Sequence, residues 1–224
     1  LLDDFEDSIL SIRELAERQT GQVTLACIPT AAFYFLPSVI RDYNEQYPKI
    51  RIRLLDLSAN DGLEAVLRGE ADFGINMMSG QHPDIEFVPL VNEPFVLACR
   101  RDHELASRTS ITWSELSDYR LIGVGRLSGN RMLLDHALSG LSWRPQWFYE
   151  VQHLSTSLGL VEAGLGVSAM PSLAMPAGDH PTLVSVPLIE PVVNRSLGLV
   201  YRRGASLSPA AEKFVSILLE QWPQ

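Results

Sequence analysis

The chain has 224 residues, 46% of them hydrophobic and 20% charged, and 18 Lys+Arg against 27 Asp+Glu give a net charge of −9. This composition fits a folded globular domain or two small lobes and excludes a disordered or collagen-like chain. The acidic balance lacks the basic footprint that phosphate neutralisation needs, so these residues are not expected to bind nucleic acid by themselves, and no run approaches the roughly 18 apolar residues of a membrane span.

The first twenty residues form a segment of their own. Leu2, Phe5, Ile9, Ile12 and Ala16 are spaced 3, 4, 3, 4, the rhythm of a coiled-coil seam, and Gly21 follows where a helix should stop. Two heptads are too short to be stable alone, so the segment reads as the end of a longer linker helix that pairs with a partner. The chain starts at Leu1 inside this helix, with neither Met nor signal peptide, as expected of a fragment.

From Gln22 the pattern alternates strand and helix. QVTLACI predicts a strand, Pro29-Thr30 a turn, and FLPSVIRDYNEQY a helix stopped by Pro48. IRIRLLD is a strand, Leu63–Arg68 a helix ended by Gly69, and ADFGI a short buried strand. IEFVPL and EPFVLACR read as two further strands. A second series follows Arg101. TWSELSDY is a short helix with a capping box from Thr112 to Glu115, then come strand RLIGV, helix GNRMLLDHAL, strand QWFYEV and a helix opened by Ser155 or Thr156. VSAMP, LVSVPLI and RSLGLVYRR are strands, and Ser208 caps a final helix with Pro209 in its first position. Two α/β series imply mostly parallel sheets with helices on both faces, hence two lobes.

Catalytic and metal signatures are missing. There is no G-x-S-x-G, H-E-x-x-H or G-x-x-x-x-G-K-[ST], and His82, His103, His136, His153 and His180 are scattered singly. Cys27 and Cys99 sit alone in apolar runs and read as buried reduced thiols. A binding protein remains, and three strand-to-helix turns are candidates: Pro29-Thr30-Ala31, Ser58-Ala59-Asn60 and Ser128-Gly129-Asn130-Arg131. Each follows the carboxyl end of a strand, where open α/β sheets bind ligands and helix N-termini attract anions.

The segments CIPTAAFYFLPSVIRDYNEQYPKIRIRL, LEAVLRGEADFGI, EPFVLACRRDHELA and EVQHLSTSLGLVEAGLGVSAMP together resemble the effector-binding domain of LysR-type transcriptional regulators over residues 1–222. The resemblance implies two Rossmann-like lobes of the type II periplasmic-binding-protein kind joined by a two-strand hinge, with lobe I at 21–99 and 196–224, lobe II at 100–195 and the linker helix at 1–20. It implies a small effector in the inter-lobe cleft, probed by Pro29, Thr30, Ala31 and Ala32, by Ser58, Ala59 and Asn60, by Asn76 and Met77, by Ser128, Gly129, Asn130 and Arg131, and by Gln152, His153 and Leu154. Thr30 falls where family members place a hydroxyl on the ligand carboxylate. Met77 departs from those members that carry an arginine there, which leaves Arg126 or Arg131 to supply the charge. Phe33, Tyr34, Phe95 and Met78 suggest a partly apolar pocket, although aromatics at 33–35 read more readily as helix core.

The resemblance further implies no enzyme activity, no cofactor, cytoplasmic location and self-association, lobe I of one subunit antiparallel on lobe II of another, to dimers or tetramers. DNA would be bound only by a winged helix-turn-helix preceding this chain. Peroxide sensing through a cysteine pair in the second lobe is not supported. The rival readings are a periplasmic solute-binding protein of similar fold and an enzyme pairing His153 with Glu150 or Glu162.

Overall fold

The computed structural model describes residues 21–77, 82–176 and 178–222; the helix expected over 1–20 and Met78 lie outside them. Strand β1 (Gly21–Cys27) is the centre of the first series. It pairs in parallel with β2 (Ile50–Asp56), in register from Gly21 opposite Ile50 to Cys27 opposite Asp56, and with β3 (Phe73–Met77) through Cys27 opposite Ile75. The parallel order follows from the helical crossovers between these strands.

The residue patterns explain most helices. α2 (Leu36–Gln46) and α3 (Ala59–Leu67) cover the crossovers; Ser58 caps α3 by accepting from the Asp61 N–H at 3.2 Å, so this helix starts earlier than its apolar spacing indicated. A short helix α1 (Pro29–Tyr34) stands where a turn was expected, with Pro29 in its first turn. Pro37 cannot donate back along the chain, and α1 and α2 are separated at Phe35.

Two compact units result. One runs to Leu90 and resumes at Gly198; the other spans Val91–Leu197. In the first, β3 is followed in the sheet by β10 (Asn194–Arg202), giving the order β2-β1-β3-β10. On one face Ala65 and Val66 of α3 cluster with Ala26, Ala71, Ile85 and Val200. On the other, Tyr43 lies 5.0 Å and Phe73 5.9 Å from the Phe214 ring of α6 (Pro209–Gln221), and the Tyr43 hydroxyl donates to the Ala210 carbonyl at 3.0 Å. Each fully buried aromatic here contributes roughly 2–3 kcal/mol from removal of apolar surface. Gly74 is required, since a Cβ there would lie 2.7 Å from Val200.

The second unit has a mixed sheet. The segments expected as two strands form one, β4 (Ile85–Arg100), in which Pro89 and Pro94 are both accommodated. Its later half runs antiparallel to β8 (Val167–Pro171) and to β9 (Leu183–Ile189), while β6 (Leu121–Val124) is parallel to both β8 and the edge strand β7 (Trp147–Val151). A two-residue β5 (Ile111–Thr112) pairs with β9. The core gathers Phe95, Leu97, Cys99, Ile111, Trp113, Leu121 and Leu134, and Trp113 donates from Nε1 to the Pro191 carbonyl at 2.9 Å. α4 (Gly129–Ala137) and α5 (Leu154–Glu162) follow β6 and β7. The segment after Thr112 is a 3-10 turn, and the Glu115 carboxylate accepts from the Thr112 N–H at 2.8 Å. The second helix of this pair opens at His153–Leu154, ahead of Ser155 and Thr156.

Candidate functional site

In the first unit three segments meet at the carboxyl ends of neighbouring parallel strands. The Ile28 N–H donates to the Ile75 carbonyl at 3.2 Å and the Leu57 N–H to the Cys27 carbonyl at 3.0 Å, which locks the exits of β1, β2 and β3 side by side. Pro29, Thr30, Ala31 and Ala32 form the first turn of α1, Ser58, Ala59 and Asn60 open α3, and Asn76 and Met77 end β3. Asn76 is buried and fixes this junction: its Nδ2 donates to the Ala59 carbonyl at 2.8 Å, and its Oδ1 accepts from the Met77 N–H at 2.8 Å. The Ser58 hydroxyl is engaged with Asp61 on both counts, as acceptor from the N–H and as donor to Oδ2 at 2.7 Å. Thr30 differs. It is only 7% exposed, and its hydroxyl has no hydrogen bond among the described residues.

Phe33, read as helix core, is 67% exposed, and its ring meets Tyr34 edge-on at 4.7 Å. Phe35 takes the packing role instead, against Trp222 at 4.2 Å. Phe95, expected at a pocket wall, is buried in the core of the second unit, because β4 turns that face inward.

In the second unit the candidates lie at the ends of β6 and β7, where the Gly125 N–H donates to the Val151 carbonyl at 2.9 Å. Arg126 is exposed on the loop, Ser128 precedes α4 without a side-chain cap bond, and Gly129, Asn130 and Arg131 form the first turn. Gln152 and His153 are exposed before α5, and Leu154 begins it. Arg131 is buried and engaged within the unit. Its Nε donates to both Asp135 oxygens at 2.9 and 3.0 Å, its Nη1 lies 3.7 Å from Glu150, and the guanidinium covers the Trp147 ring at 4.9 Å. A pocket of about 320 Å³ lies along this side of α4, lined by Arg126, Arg131, Asp135, Leu138, Arg144 and Pro145.

A second cation escaped the sequence reading. Arg195 of β10 is fully buried, with Nε donating to Glu93 Oε1 at 2.6 Å and Nη1 to Asn130 Oδ1 at 2.9 Å. The other Glu93 oxygen accepts from the Leu173 N–H at 2.7 Å. Burial pushes the Arg195 guanidinium down from its ordinary value, and the Glu93 carboxylate opposes that shift. The only signal in the sequence was a charged residue at the start of each of two apolar runs, EPFVLACR and RSLGLVYRR.

Residues 16–223 match the LysR substrate binding domain. The uncharacterized HTH-type transcriptional regulator YbhD of Escherichia coli (strain K12) is 52% identical over 222 residues, covering 99% of this chain and 70% of that protein. The chain belongs to the LysR substrate-binding domain family. It is thus the effector-binding domain of a LysR-type transcriptional regulator, and its relatives are regulators rather than enzymes. The reduced form of OxyR has a TM-score of 0.74 at 26% identity, over 92% of this chain and 97% of that chain. The Synechocystis PCC6803 CcmR regulatory domain, in complex with 2-PG, has a TM-score of 0.81 at 22% identity, over 92% and 99%. The expected two-lobed fold of periplasmic-binding-protein type is the fold of this LysR domain.

The LysR resemblance placed no cysteine in the second lobe, yet Cys99 is buried in the second unit's core, while Cys27 is buried in the first. Burial pushes the Cys99 thiol up to about 11, and burial together with Asp56 pushes Cys27 up to about 12. Both stay protonated and unreactive at neutral pH. His153 forms no hydrogen bond to Glu150 or Glu162 among the described residues; Glu162 instead accepts from the Thr182 hydroxyl at 2.7 Å. No group of three potential metal ligands occurs among the described residues, and no described helix is long and apolar enough to cross a membrane.

Proposed function

We propose that this LysR effector domain senses a small carboxylate held at the strand-end turns, with Thr30 as the hydroxyl donor. The observation that carries this reading is Thr30 beside the exits of three strands, a residue only 7% exposed whose hydroxyl forms no hydrogen bond among the described residues while its counterpart Ser58 is occupied as a cap. A hydroxyl donor gains most from a charged acceptor, about 1.5–3 kcal/mol per hydrogen bond. The main-chain N–H groups opening α1 and α3 add donors for the same anion. The exposed Phe33, one turn beyond Thr30, offers an apolar surface for the rest of the ligand.

The full regulator binds DNA through a winged helix-turn-helix outside this chain and works in the cytoplasm. Its effector shifts an equilibrium between arrangements only by its differential affinity for them. Self-association uses the sheet edges. β2 ends the sheet of the first unit with Leu54 exposed, and β7 ends that of the second with Phe148 exposed, and such open edges are common pairing surfaces. Sedimentation of the wild type and of Phe148→Glu tests this point, with loss of the dimer in the variant as the expected result.

A thermal-shift panel of small carboxylic acids, each beside its primary amide, tests the effector class. At least one acid should raise the melting temperature with no response to its amide. Equal responses to both members of every pair would contradict a carboxylate effector.

A further inference from the structure

Asn76 is out of keeping with the strand that carries it. Every residue of β3, FGINM, is buried, and the other four are apolar or glycine. Asparagine is a poor strand former, and its buried carboxamide must be satisfied, whereas a leucine there would be buried without that requirement. Among the described residues the carboxamide bonds only to main chain: Nδ2 donates to the Ala59 carbonyl and Oδ1 accepts from the Met77 N–H, both at 2.8 Å. The first of these bonds crosses from β3 to the opening residue of α3.

The room for it comes from Gly62. A Cβ at Gly62 would lie 3.2 Å from Asn76 Nδ2, so any other residue would push the amide aside. Gly62 lies within the nine-residue α3, where glycine costs helix stability relative to alanine. A residue unfavourable in its strand thus meets one unfavourable in its helix, and their contact lies at the opening of α3. The donors at that opening are few. The Ser58 hydroxyl accepts from the Asp61 N–H, and the Ser58 carbonyl accepts from the Gly62 N–H at 2.8 Å. The Ala59 and Asn60 N–H groups are therefore the ones left without an intrahelical acceptor.

We propose that Asn76 is a positioning residue for the effector carboxylate: held in the space that Gly62 leaves, it fixes Ala59 and so aims the Ala59 and Asn60 N–H groups. Its carboxamide is committed to main chain, so it acts through Ala59 and not as the ligand contact that the LysR resemblance implied. Ala59 cannot shift without breaking a buried hydrogen bond, and preorganised donors bind an anion without first being ordered. The role rests on the carboxylate reading above and lies wholly within the first unit.

The test is a titration of the ¹⁵N-labelled chain with acetate, comparing wild type, Asn76→Leu, Gly62→Ala and Val66→Ala. Asn76→Leu keeps the buried volume and removes both hydrogen bonds. Gly62→Ala keeps every polar group and displaces the amide, so it reads the role even if Asn76→Leu does not fold. Val66→Ala loosens the same helix two turns further on and leaves the contact intact. The expected result is saturable shifts of the Ala59 and Asn60 amides in wild type and Val66→Ala, with acetate affinity roughly fivefold weaker in Asn76→Leu and roughly twofold weaker in Gly62→Ala. Gly62→Ala should also raise the melting temperature more when combined with Asn76→Ala than in wild type, because only there is the new methyl free of the carboxamide. Acetate that binds Asn76→Leu and Gly62→Ala as tightly as wild type, or that is weakened equally by Val66→Ala, overturns the positioning role alone. A Gly62→Ala shift in melting temperature of equal size in both backgrounds does the same. Acetate that leaves the wild-type amides unmoved overturns the carboxylate reading and the positioning role with it.

Discussion

The two units place their candidate residues at equivalent points, the carboxyl ends of strands, but treat them in opposite ways. In the first unit the junction is neutral: Asn76 ties β3 to the start of α3, Ser58 caps, and the Thr30 hydroxyl has no hydrogen bond among the described residues. In the second unit the same region is crowded with charge that is already paired, Arg131 with Asp135 and Arg195 with Glu93. A free neutral donor costs little to keep open, whereas a buried charge must be compensated in the resting state. The comparison teaches that the first unit leaves a neutral donor open at its strand ends, whereas the second compensates its buried charges within itself.

The sharpest way to break this contrast is Glu93→Ala. It strands a fully buried guanidinium and should lower stability by about 3–5 kcal/mol in urea unfolding, while Glu93→Gln, which keeps an acceptor, should cost less. Next comes Arg131→Ala, which removes the cation over Trp147 and the bond to Asp135; an expected loss of about 1–2 kcal/mol measured the same way would confirm that this arginine serves the unit and not the ligand. In the first unit Ser58→Ala should cost about 1 kcal/mol through the lost cap and leave effector affinity nearly unchanged.

A weaker effect appears with pH. Both thiols have folded values raised well above the ordinary 9.0, to about 12 and about 11, so each favours the folded state in its protonated form. That contribution is fully present below about pH 9 and is lost as pH rises from there toward 11–12. Urea unfolding at a series of alkaline pH values should show the decline, and Cys27→Ala should flatten it.

Local chemistry was legible where it stays local. Ser208 caps α6 with Pro209 behind it, Glu115 folds back on Thr112, and Gly164, at φ 78°, follows the end of α5. Prolines misled in both directions. Pro29 read as a turn and sits in a helix, since its fixed φ suits a first turn; IEFVPL and EPFVLACR read as two strands, yet Pro89 and Pro94 both lie inside the single strand β4, where a missing N–H is tolerated if it faces no ladder partner. The strand-end turns were readable because any α/β sheet exposes them. The Glu93–Arg195 pair was not, because the partners lie 102 positions apart and only the sheet brings them together.

The measurement that bears most directly on the central claim is calorimetry of the tightest carboxylate from the thermal-shift panel against wild type and Thr30→Val. Losing one hydrogen bond to a charged group, about 1–3 kcal/mol, should weaken binding roughly 5- to 150-fold with the unfolding midpoint nearly unchanged. An unaltered dissociation constant in Thr30→Val would contradict the account.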